Sequence, residues 1–203
     1  MLKAILVDFD DSFTFNIVSE LYGVGIYPNV ISHHDLHTAT LDIFNCDSKT
    51  LIIFGPGPGN PEDYQDIFPI LEKILIDDKL YFMAICLGHQ ILWRVLGEKI
   101  KKMNRPIHGD TTSVNLFDRT FSVQKYNSLT VDLDKPFLCK KLMDKTFEIQ
   151  NFFSDDGELM ASLSYKFITY QFHPESIGTS CRRELFLPVL KMLYNVLDER
   201  SKD

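Results

Sequence analysis

The stretch "FMAICLGHQILWRVLG", residues 82–97, joins two different patterns at a cysteine. A mostly apolar run precedes Cys86, as expected of a strand that is buried on both faces of a parallel sheet. After the cysteine, apolar residues recur at helical spacing up to Gly97, a residue suited to ending a helix. The stretch therefore predicts a strand, a tight turn and a helix, with a thiol at the point where the strand ends.

The first half of the chain repeats this alternation of strand and helix. The predicted elements are strands at 3–9, 27–33 and 80–85, an apolar run at 50–59 that ends in a Gly/Pro loop, and helices at 12–23, 64–78 and 88–97. Gly23 is predicted to cap the first of these helices. Such alternation indicates a parallel sheet with helices packed against it.

The second half of the chain changes character. Five β-type segments lie at 111–117, 119–126, 147–153, 158–164 and 167–173, and an amphipathic helix is predicted at 182–200. The β-type segments suggest an antiparallel excursion before the chain returns to the sheet. Because no internal repeat or long linker interrupts this order, we predict a single domain over 1–203. The predicted fold class is α/β, with an open, mostly parallel central sheet flanked by helices.

The composition narrows the possible functions. The 203 residues carry a formal net charge of −7, which leaves no basic surplus for binding nucleic acid or an anionic membrane. The N-terminus lacks the shape of a signal peptide, and no apolar run approaches the roughly 20 residues of a membrane span. The four cysteines form no CxxC pair and no cluster with zinc-finger spacing. We therefore expect a cytoplasmic protein with free thiols and with neither a metal nor a cofactor.

The position of Cys86 favours a reactive thiol. Ligands of α/β proteins bind at the carboxyl ends of parallel strands, which is where Cys86 is predicted to lie. A helix that begins directly behind it brings N–H groups and a positive dipole end to the sulfur, and both favour the thiolate. Gly88 allows a tight turn from strand to helix. A buried, inert cysteine is the alternative, and the local pattern alone does not decide between the two.

A base for this thiol is expected from elsewhere in the chain. His89 lies only three residues on, at the start of the helix, where its side chain points away from the turn. His173 ends an apolar strand, and Glu175 follows two residues later, on the same side of an extended segment. Glu175 can therefore orient one ring nitrogen of His173 while the other faces a thiol. For His173 taken by itself, a structural or solvated histidine is the alternative.

The loop "FGPGPGNP" at 54–61 also ends a strand. Its glycines let backbone N–H groups approach a ligand and its prolines stiffen the loop, which suits an oxyanion hole. It is not a phosphate-binding loop, because no GK[ST] follows it and no GxGxxG opens a helix. An ordinary rigid turn is the alternative.

Three motifs together resemble the class I, or triad, glutamine amidotransferases, in the order and spacing of that family. They are "GPGPGNP" at 55–61, "CLGHQ" at 86–90 and "QFHPES" at 171–176. The resemblance spans nearly the whole chain. Three further segments look like the glutaminase subunits (component II) of anthranilate synthase and aminodeoxychorismate synthase: "DFDDSFTFNI" at 8–17, "HGDTTSV" at 108–114 and "YNSL" at 126–129.

The resemblance implies an activity and a partner. Cys86 would attack the side-chain amide of L-glutamine, His173 would move the proton from the thiol to the leaving ammonia, and Glu175 would orient His173. Water would then hydrolyse the glutamyl thioester. The ammonia would pass to a chorismate-aminating synthase subunit, component I, to give anthranilate, aminodeoxychorismate or both. Because nothing in the chain could itself bind and aminate chorismate, we expect a heteromeric complex.

The resemblance also implies a set of substrate-binding residues. This set is Gly57, Pro58, Gly59, Leu87, Gln90, Ser128 and Leu129. The backbone N–H groups of Gly57 and Leu87 would stabilise the oxyanion. Gln90 would hold the amino-acid end of the substrate, assisted by backbone groups of the 128–129 segment and by the 57–59 loop.

The sequence departs from the family pattern at three positions, although the triad is intact. Ala84 replaces a glycine two residues before the nucleophile, Asn127 replaces the histidine of "HSL", and Asp110 stands where a lysine is common. Three other functions therefore stay open. They are the glutaminase part of another synthase, such as that for guanosine monophosphate; a cysteine peptidase or γ-glutamyl hydrolase; and a degenerate, non-catalytic regulatory subunit. Gln90 argues for a free amino acid as substrate rather than a peptide.

Overall fold

A sheet of eight strands forms the centre of the fold. The computed structural model describes residues 3–103 and 109–194 of the chain. The strands of the described residues are β1 (Lys3–Asp8), β2 (Pro28–Ser32), β3 (Thr50–Phe54), β4 (Leu80–Ile85), β5 (Ile100–Lys102), β6 (Asp110–Leu116), β7 (Arg119–Lys125), β8 (Leu129–Val131), β9 (Phe137–Leu142), β10 (Lys145–Phe153), β11 (Leu159–Leu163) and β12 (Phe167–Tyr170). The central sheet has the order β2-β1-β3-β4-β12-β11-β10-β9.

The first five strands in this order are parallel and the last three are antiparallel. This confirms the predicted sheet and the antiparallel excursion. The return of β12 beside β4 is the feature that matters for the site. Because the two strands are parallel, Cys86 after β4 and His173 after β12 emerge at the same edge of the sheet. The β6–β7 hairpin and the β5–β8 pair form two small separate sheets.

Helices cover both faces of the sheet. They are α1 (Thr14–Gly23), α2 (Leu36–Phe44), α3 (Phe68–Ile76), α4 (Leu87–Val95) and α5 (Leu187–Leu193), with 3-10 helices at His33–Asp35, Pro61–Ile67 and Arg182–Phe186. Apolar residues of α1 and α5 pack on one face, and those of α2, α3 and α4 pack on the other. None of the helices within the described ranges is long and apolar enough to cross a membrane.

The start of one predicted helix and the predicted cap of another differ from the structure. The helix predicted at 64–78 starts only at Phe68, because Pro69 in its first turn has no N–H to donate to the preceding turn. The preceding segment forms a 3-10 helix instead. Gly23 does not cap α1: it is the last helical residue, and the left-handed turn falls at Gly25, with φ of 80°.

The α2 helix and the edge strand β9 are not predicted from the sequence. Of the predicted closing helix at 182–200, the structure shows a 3-10 turn and then α5, with Pro188 in its first turn. The part after 194 lies outside the described residues. The same holds for His108 of the "HGDTTSV" segment.

Candidate active site

Cys86 sits on a strained turn between β4 and α4. Its φ and ψ are 51° and −102°, a conformation that costs a residue with a side chain on the order of 1–3 kcal/mol. The backbone holds it there from both sides. Its N–H donates to the Tyr170 carbonyl at 2.8 Å, and its own carbonyl accepts the Gln90 N–H at 3.1 Å. The nucleophile-elbow geometry expected from the sequence is therefore present, and only 9% of Cys86 is exposed.

Glycine is required beside this turn for close packing. A Cβ at Gly88 would lie 2.6 Å from the Phe54 carbonyl oxygen, so α4 can approach the end of β3 only with glycine there. The positive φ belongs to Cys86 itself, whereas the sequence prediction assigned the tightness of the turn to Gly88. A Cβ at Gly57 would lie 2.7 Å from Cδ2 of Leu87. The 57–59 loop therefore packs directly against the first residue of α4.

His173 and Glu175 form the predicted pair. Nδ1 of His173 lies 2.7 Å from Oε1 of Glu175, and the two residues are 3% and 0% exposed. The reason for the contact differs from the prediction, because the two residues do not lie on an extended segment. β12 ends at Tyr170, and a turn follows in which the Ser176 N–H donates to the His173 carbonyl at 3.2 Å. The turn brings the carboxylate back to the ring.

The pKa of His173 is influenced by the thiol of Cys86. Burial lowers the pKa of His173, but Cys86 and Glu175 outweigh this effect and raise it well above its usual 6.5. Among the described residues, Nε2 of His173 makes no hydrogen bond of normal geometry. Cys86 is nevertheless close enough to this buried ring to stabilise its protonated form. The arrangement suits transfer of a proton from the thiol to the imidazole.

Neighbouring elements fix the position of the imidazole. The backbone N–H of His173 donates to the Gln124 carbonyl of β7 at 2.9 Å, and Thr179 Oγ1 donates to the His173 carbonyl at 2.7 Å. The rings of Phe13 and Tyr126 lie 5.4 and 5.0 Å from the imidazole, between ring centroids. These aromatic rings form apolar walls around the imidazole.

The residues implied to bind substrate surround the same turn. Gly57 is half-buried in the loop beside Leu87, while Pro58 and Gly59 are exposed. The Tyr64 hydroxyl donates to the Pro58 carbonyl at 3.1 Å and so braces this loop. Gly59 has φ of 84°, which favours glycine.

Gln90 connects α4 to the "YNSL" segment. Its Nε2 donates to the Leu129 carbonyl at 3.0 Å, so Leu129 lies beside the first turn of α4. Ser128 is exposed, and its carbonyl accepts the Met103 N–H at 2.9 Å. The structure thus brings the three implied groups, 57–59, 87–90 and 128–129, to one end of the sheet.

Gln171 is a site residue that the sequence reasoning missed. It is fully buried, and its Nε2 lies 3.8 Å from Sγ of Cys86. Its Oε1 accepts from Nε2 of Gln90 at 3.1 Å. The residue stands in the "QFHPES" motif, so the motif could have drawn attention to it.

The sequence predicted that His89 does not serve as a base for Cys86, and its surroundings agree. It is fully buried, and its Nδ1 contacts Oγ1 of Thr169 at 2.8 Å. Burial lowers the pKa of His89 to about 3, so the ring is neutral at physiological pH. His89 belongs to the packing between α4 and β12.

The three departures from the family pattern lie in different surroundings. Ala84 is fully buried on β4, paired with Phe54 and Thr169, and its methyl group is accommodated in the core on the α4 side. Asp110 is exposed at the start of β6. Asn127 is buried, and its Nδ2 donates to Oε1 of Glu158 at 2.6 Å and to the Leu129 carbonyl at 3.0 Å.

One group of potential metal ligands occurs within the described ranges. Oδ2 of Asp10 lies 3.9 Å from Nδ1 of His33 and 3.8 Å from Nε2 of His34. Nδ1 of His33 also contacts the Asp8 carbonyl at 3.2 Å, and Asp10 and His34 are largely exposed. The cluster comes from the ends of β1 and β2, which sequence spacing alone could not bring together.

Known proteins resemble this chain in both sequence and fold. A protein from Helicobacter pylori, anthranilate synthase component 2, is 31% identical over 97% of this chain and 100% of its own length. A Streptomyces griseus aminodeoxychorismate synthase is 33% identical over 88% of this chain, which covers 24% of that protein. A glutamine amidotransferase of known structure from Thermotoga maritima shares the fold, with a TM-score of 0.59 and 17% identity over 100% of this chain and 86% of that one.

The family model of the class I glutamine amidotransferases matches residues 5–191, which include the strained Cys86 turn and the His173–Glu175 pair. On this match and on these relatives, the chain belongs to the class I glutamine amidotransferase family.

Proposed function

We propose that the chain is the glutaminase subunit of a chorismate-aminating synthase and that it hydrolyses L-glutamine through a thioester at Cys86. One observation carries the proposal. A thiol on a strained turn lies beside a buried imidazole, His173, whose other nitrogen is held by a buried carboxylate, Glu175. This is the order of nucleophile, base and orienting group that covalent acyl transfer requires.

The chemistry follows from these positions. His173 takes the proton of the thiol, and the sulfur of Cys86 attacks the side-chain amide carbon of glutamine. The tetrahedral intermediate then collapses, the carbon–nitrogen bond breaks, and His173 returns the proton to the departing nitrogen as ammonia forms. Water, deprotonated by His173, attacks the thioester and releases glutamate and the free thiol.

The turn and the 57–59 loop would stabilise the intermediate. The backbone at Gly57 packs against the side chain of Leu87, and the Leu87 N–H lies in the first turn of α4, at its positive dipole end. The bound substrate would place its amino-acid end against Gln90 and the backbone of 128–129. A site built for that end favours free glutamine over a peptide.

The partner is proposed from the relatives. The Helicobacter pylori protein is named as component 2 of a synthase, and it matches this chain along its full length. We therefore expect a separate component I that receives the ammonia and aminates chorismate. The relatives bear the names of both anthranilate synthase and aminodeoxychorismate synthase, so the product is decided by the partner that binds.

A reconstitution assay tests the proposal. Glutamine hydrolysis is measured for the chain alone and with each candidate component I plus chorismate. We expect weak activity alone and strong activation by one partner. Cys86→Ala should abolish glutamine-dependent synthesis while ammonia-dependent synthesis by the partner survives. Cys181→Ala, which removes an exposed thiol, is the matched control and should keep full activity.

Labelling provides a second test of the nucleophile. A glutamine-like diazo-ketone should modify Cys86 and leave Cys46, Cys139 and Cys181 unlabelled. If Cys86→Ala retained glutamine-dependent turnover, the assignment of the nucleophile would be wrong. If no partner activated the wild-type chain, the role as a synthase subunit would be wrong.

A further inference from the structure

We infer that Gln171 is a further catalytic residue, which donates an amide N–H to the sulfur of Cys86 and links that sulfur to the substrate wall at Leu129. The inference rests on the proposed function only in taking Cys86 as the nucleophile. Its geometric basis is a chain of three hydrogen bonds. These run from Gln90 to the Leu129 carbonyl at 3.0 Å, from Gln90 to Gln171 at 3.1 Å, and from Gln171 to Cys86 at 3.8 Å.

The Leu129 carbonyl fixes the donor and acceptor of each of these three hydrogen bonds. A backbone carbonyl can only accept, so Gln90 must turn its Nε2 toward Leu129. The same Nε2 faces Gln171, so Gln171 must present Oε1 to it. The other end of the Gln171 amide, Nε2, is then directed at the thiol. Flipping either amide would place two donors or two acceptors face to face, which a buried site does not tolerate.

The backbone holds Gln171 at this place. It follows β12 directly, and its N–H donates to the Met160 carbonyl on β11 at 2.9 Å. Alternate residues of this segment face α4: Thr169 contacts His89, and Gln171 contacts Gln90 and Cys86. Gln171 therefore reaches the sulfur from a rigid strand end and without rearrangement.

An N–H donor at this position favours the ionised sulfur. Hydrogen bonding to the charged form of a group stabilises that form, and the effect is larger where water is excluded. Gln171 is fully buried, and Cys86 is nearly so. The thiolate thus has two supports of different kind, the protonated ring of His173 and the neutral amide of Gln171. The amide donates at any pH, whereas the ring must first take up a proton.

The chain of amides also couples the sulfur to substrate binding. Both donors of the Gln90 amide are engaged, one by Leu129 and one by Gln171. A substrate that binds Gln90 acts on a residue that shares a hydrogen bond with Gln171. Occupation of the amino-acid subsite and polarisation of the thiol are therefore linked through two hydrogen bonds, from Gln90 to Gln171 and from Gln171 to Cys86.

The experiment measures the rate of Cys86 alkylation by iodoacetamide against pH, a readout that needs neither glutamine nor a partner. Gln171→Leu removes the donor and should move the midpoint of the profile upward by about one pH unit. Gln171→Glu keeps an acceptor for Gln90 but places a carboxylate at the sulfur, so it should move the midpoint further in the same direction. With the partner present, both variants should lose about 10- to 100-fold in kcat.

Thr169→Val is the matched control, because it changes a buried polar residue on the same face of the same segment without touching the sulfur. It should leave the alkylation profile in place. Thermal unfolding is measured for every variant, and Gln171→Met replaces Gln171→Leu if the latter does not fold. A Gln171→Leu profile that superimposes on the wild-type profile overturns the inference.

The same data separate this inference from the proposed function. If Gln171 only braced Gln90, Gln171→Leu would raise KM while its alkylation profile and that of Gln171→Glu stayed at the wild-type midpoint. That outcome also refutes the inference. If the midpoint shifts as expected but no partner ever activates the chain, the role of Gln171 holds and the proposed function fails.

Discussion

Nδ1 of His173 lies 2.7 Å from Oε1 of Glu175, and the two side chains are almost completely buried. A carboxylate in that position fixes the tautomer of the ring and stabilises its protonated form. The pair is made by a turn after β12, while the thiol comes from the neighbouring strand β4. The site therefore depends on two parallel strands that end at the same level.

Replacing the carboxylate by an amide tests this relationship. Glu175→Gln keeps the size of the side chain but cannot stabilise an imidazolium, so kcat should fall by about 100-fold or more. Glutaminase turnover with the activating partner is the measurement. Glu184→Gln, which removes a carboxylate paired with Arg119 at the surface, should leave kcat within about two-fold. Equal rates for Glu175→Gln and wild type would remove Glu175 from the mechanism.

The raised pKa of His173 predicts a pH dependence of stability. The folded chain binds this proton more tightly than the unfolded chain does. The resulting stabilisation is complete below the unfolded value of 6.5 and is lost as the pH rises through the higher folded pKa. Glu175→Gln removes one cause of the shift, so its stability advantage at pH 6 over pH 9 should shrink. Urea unfolding of both proteins at the two pH values measures the difference, and an unchanged advantage would contradict this origin.

Sequence patterns identified the parallel half of the fold chiefly because its central strands are buried on both faces. β3 and β4 are buried at every residue and read as continuous apolar runs. The α2 helix was missed because only Leu36 and Ile43 of its nine residues are buried, which leaves a weak helical period. The edge strand β9 has no fully buried residue and gives no strong signal either.

The lowered pKa of His89 predicts that stability depends on pH in the opposite sense. Its pKa in the folded chain is about 3, against 6.5 when unfolded, so acid favours the unfolded state. Between pH 6.5 and about pH 3 this single residue should cost about 1.4 kcal/mol of stability for each unit of pH. His89→Gln should flatten that decline in urea unfolding measured from pH 7 to pH 4. His34→Gln, at an exposed position, should keep the wild-type slope. A decline of equal steepness in His89→Gln would show that other groups cause it.

Gly88 is expected to be indispensable for close packing. A Cβ there would lie 2.6 Å from the Phe54 carbonyl oxygen, and this backbone atom cannot move aside cheaply. Gly88→Ala should therefore push α4 away from β3, destabilise the fold by about 1–3 kcal/mol and displace Cys86. Unfolding and Cys86 alkylation are the two measurements.

Gly97→Ala is the control, since its Cβ would meet open space and only its φ of 86° is strained. It should cost about 1 kcal/mol and leave alkylation unchanged. Wild-type alkylation in Gly88→Ala would refute the packing argument.

The candidate site shows where sequence reasoning ends. The motifs located Cys86, His173 and Glu175, because each motif is short and its residues are near neighbours. Gln171 and Gln90 are 81 positions apart, and their contact exists only because β12 returns beside β4. The direction of the amide chain depends on the Leu129 carbonyl, which has no side-chain signature at all. Such relations follow from topology rather than from residue type.

A buried ion pair lies next to the "YNSL" segment, which begins directly after Lys125. Nζ of Lys125 contacts Oε2 of Glu158, and the two side chains are 1% and 5% exposed. Oε1 of Glu158 also accepts from Asn127, which donates in turn to the Leu129 carbonyl.

Lys125→Met leaves the carboxylate buried without its countercharge and should cost about 3–5 kcal/mol in urea unfolding. Adding Glu158→Gln removes the unpaired charge while keeping an acceptor for Asn127, so the double variant should recover most of the loss. Lys101→Met, which breaks an exposed pair, should cost no more than about 1 kcal/mol. A double variant less stable than Lys125→Met alone would show that the carboxylate is needed for the Asn127 contact rather than for the ion pair.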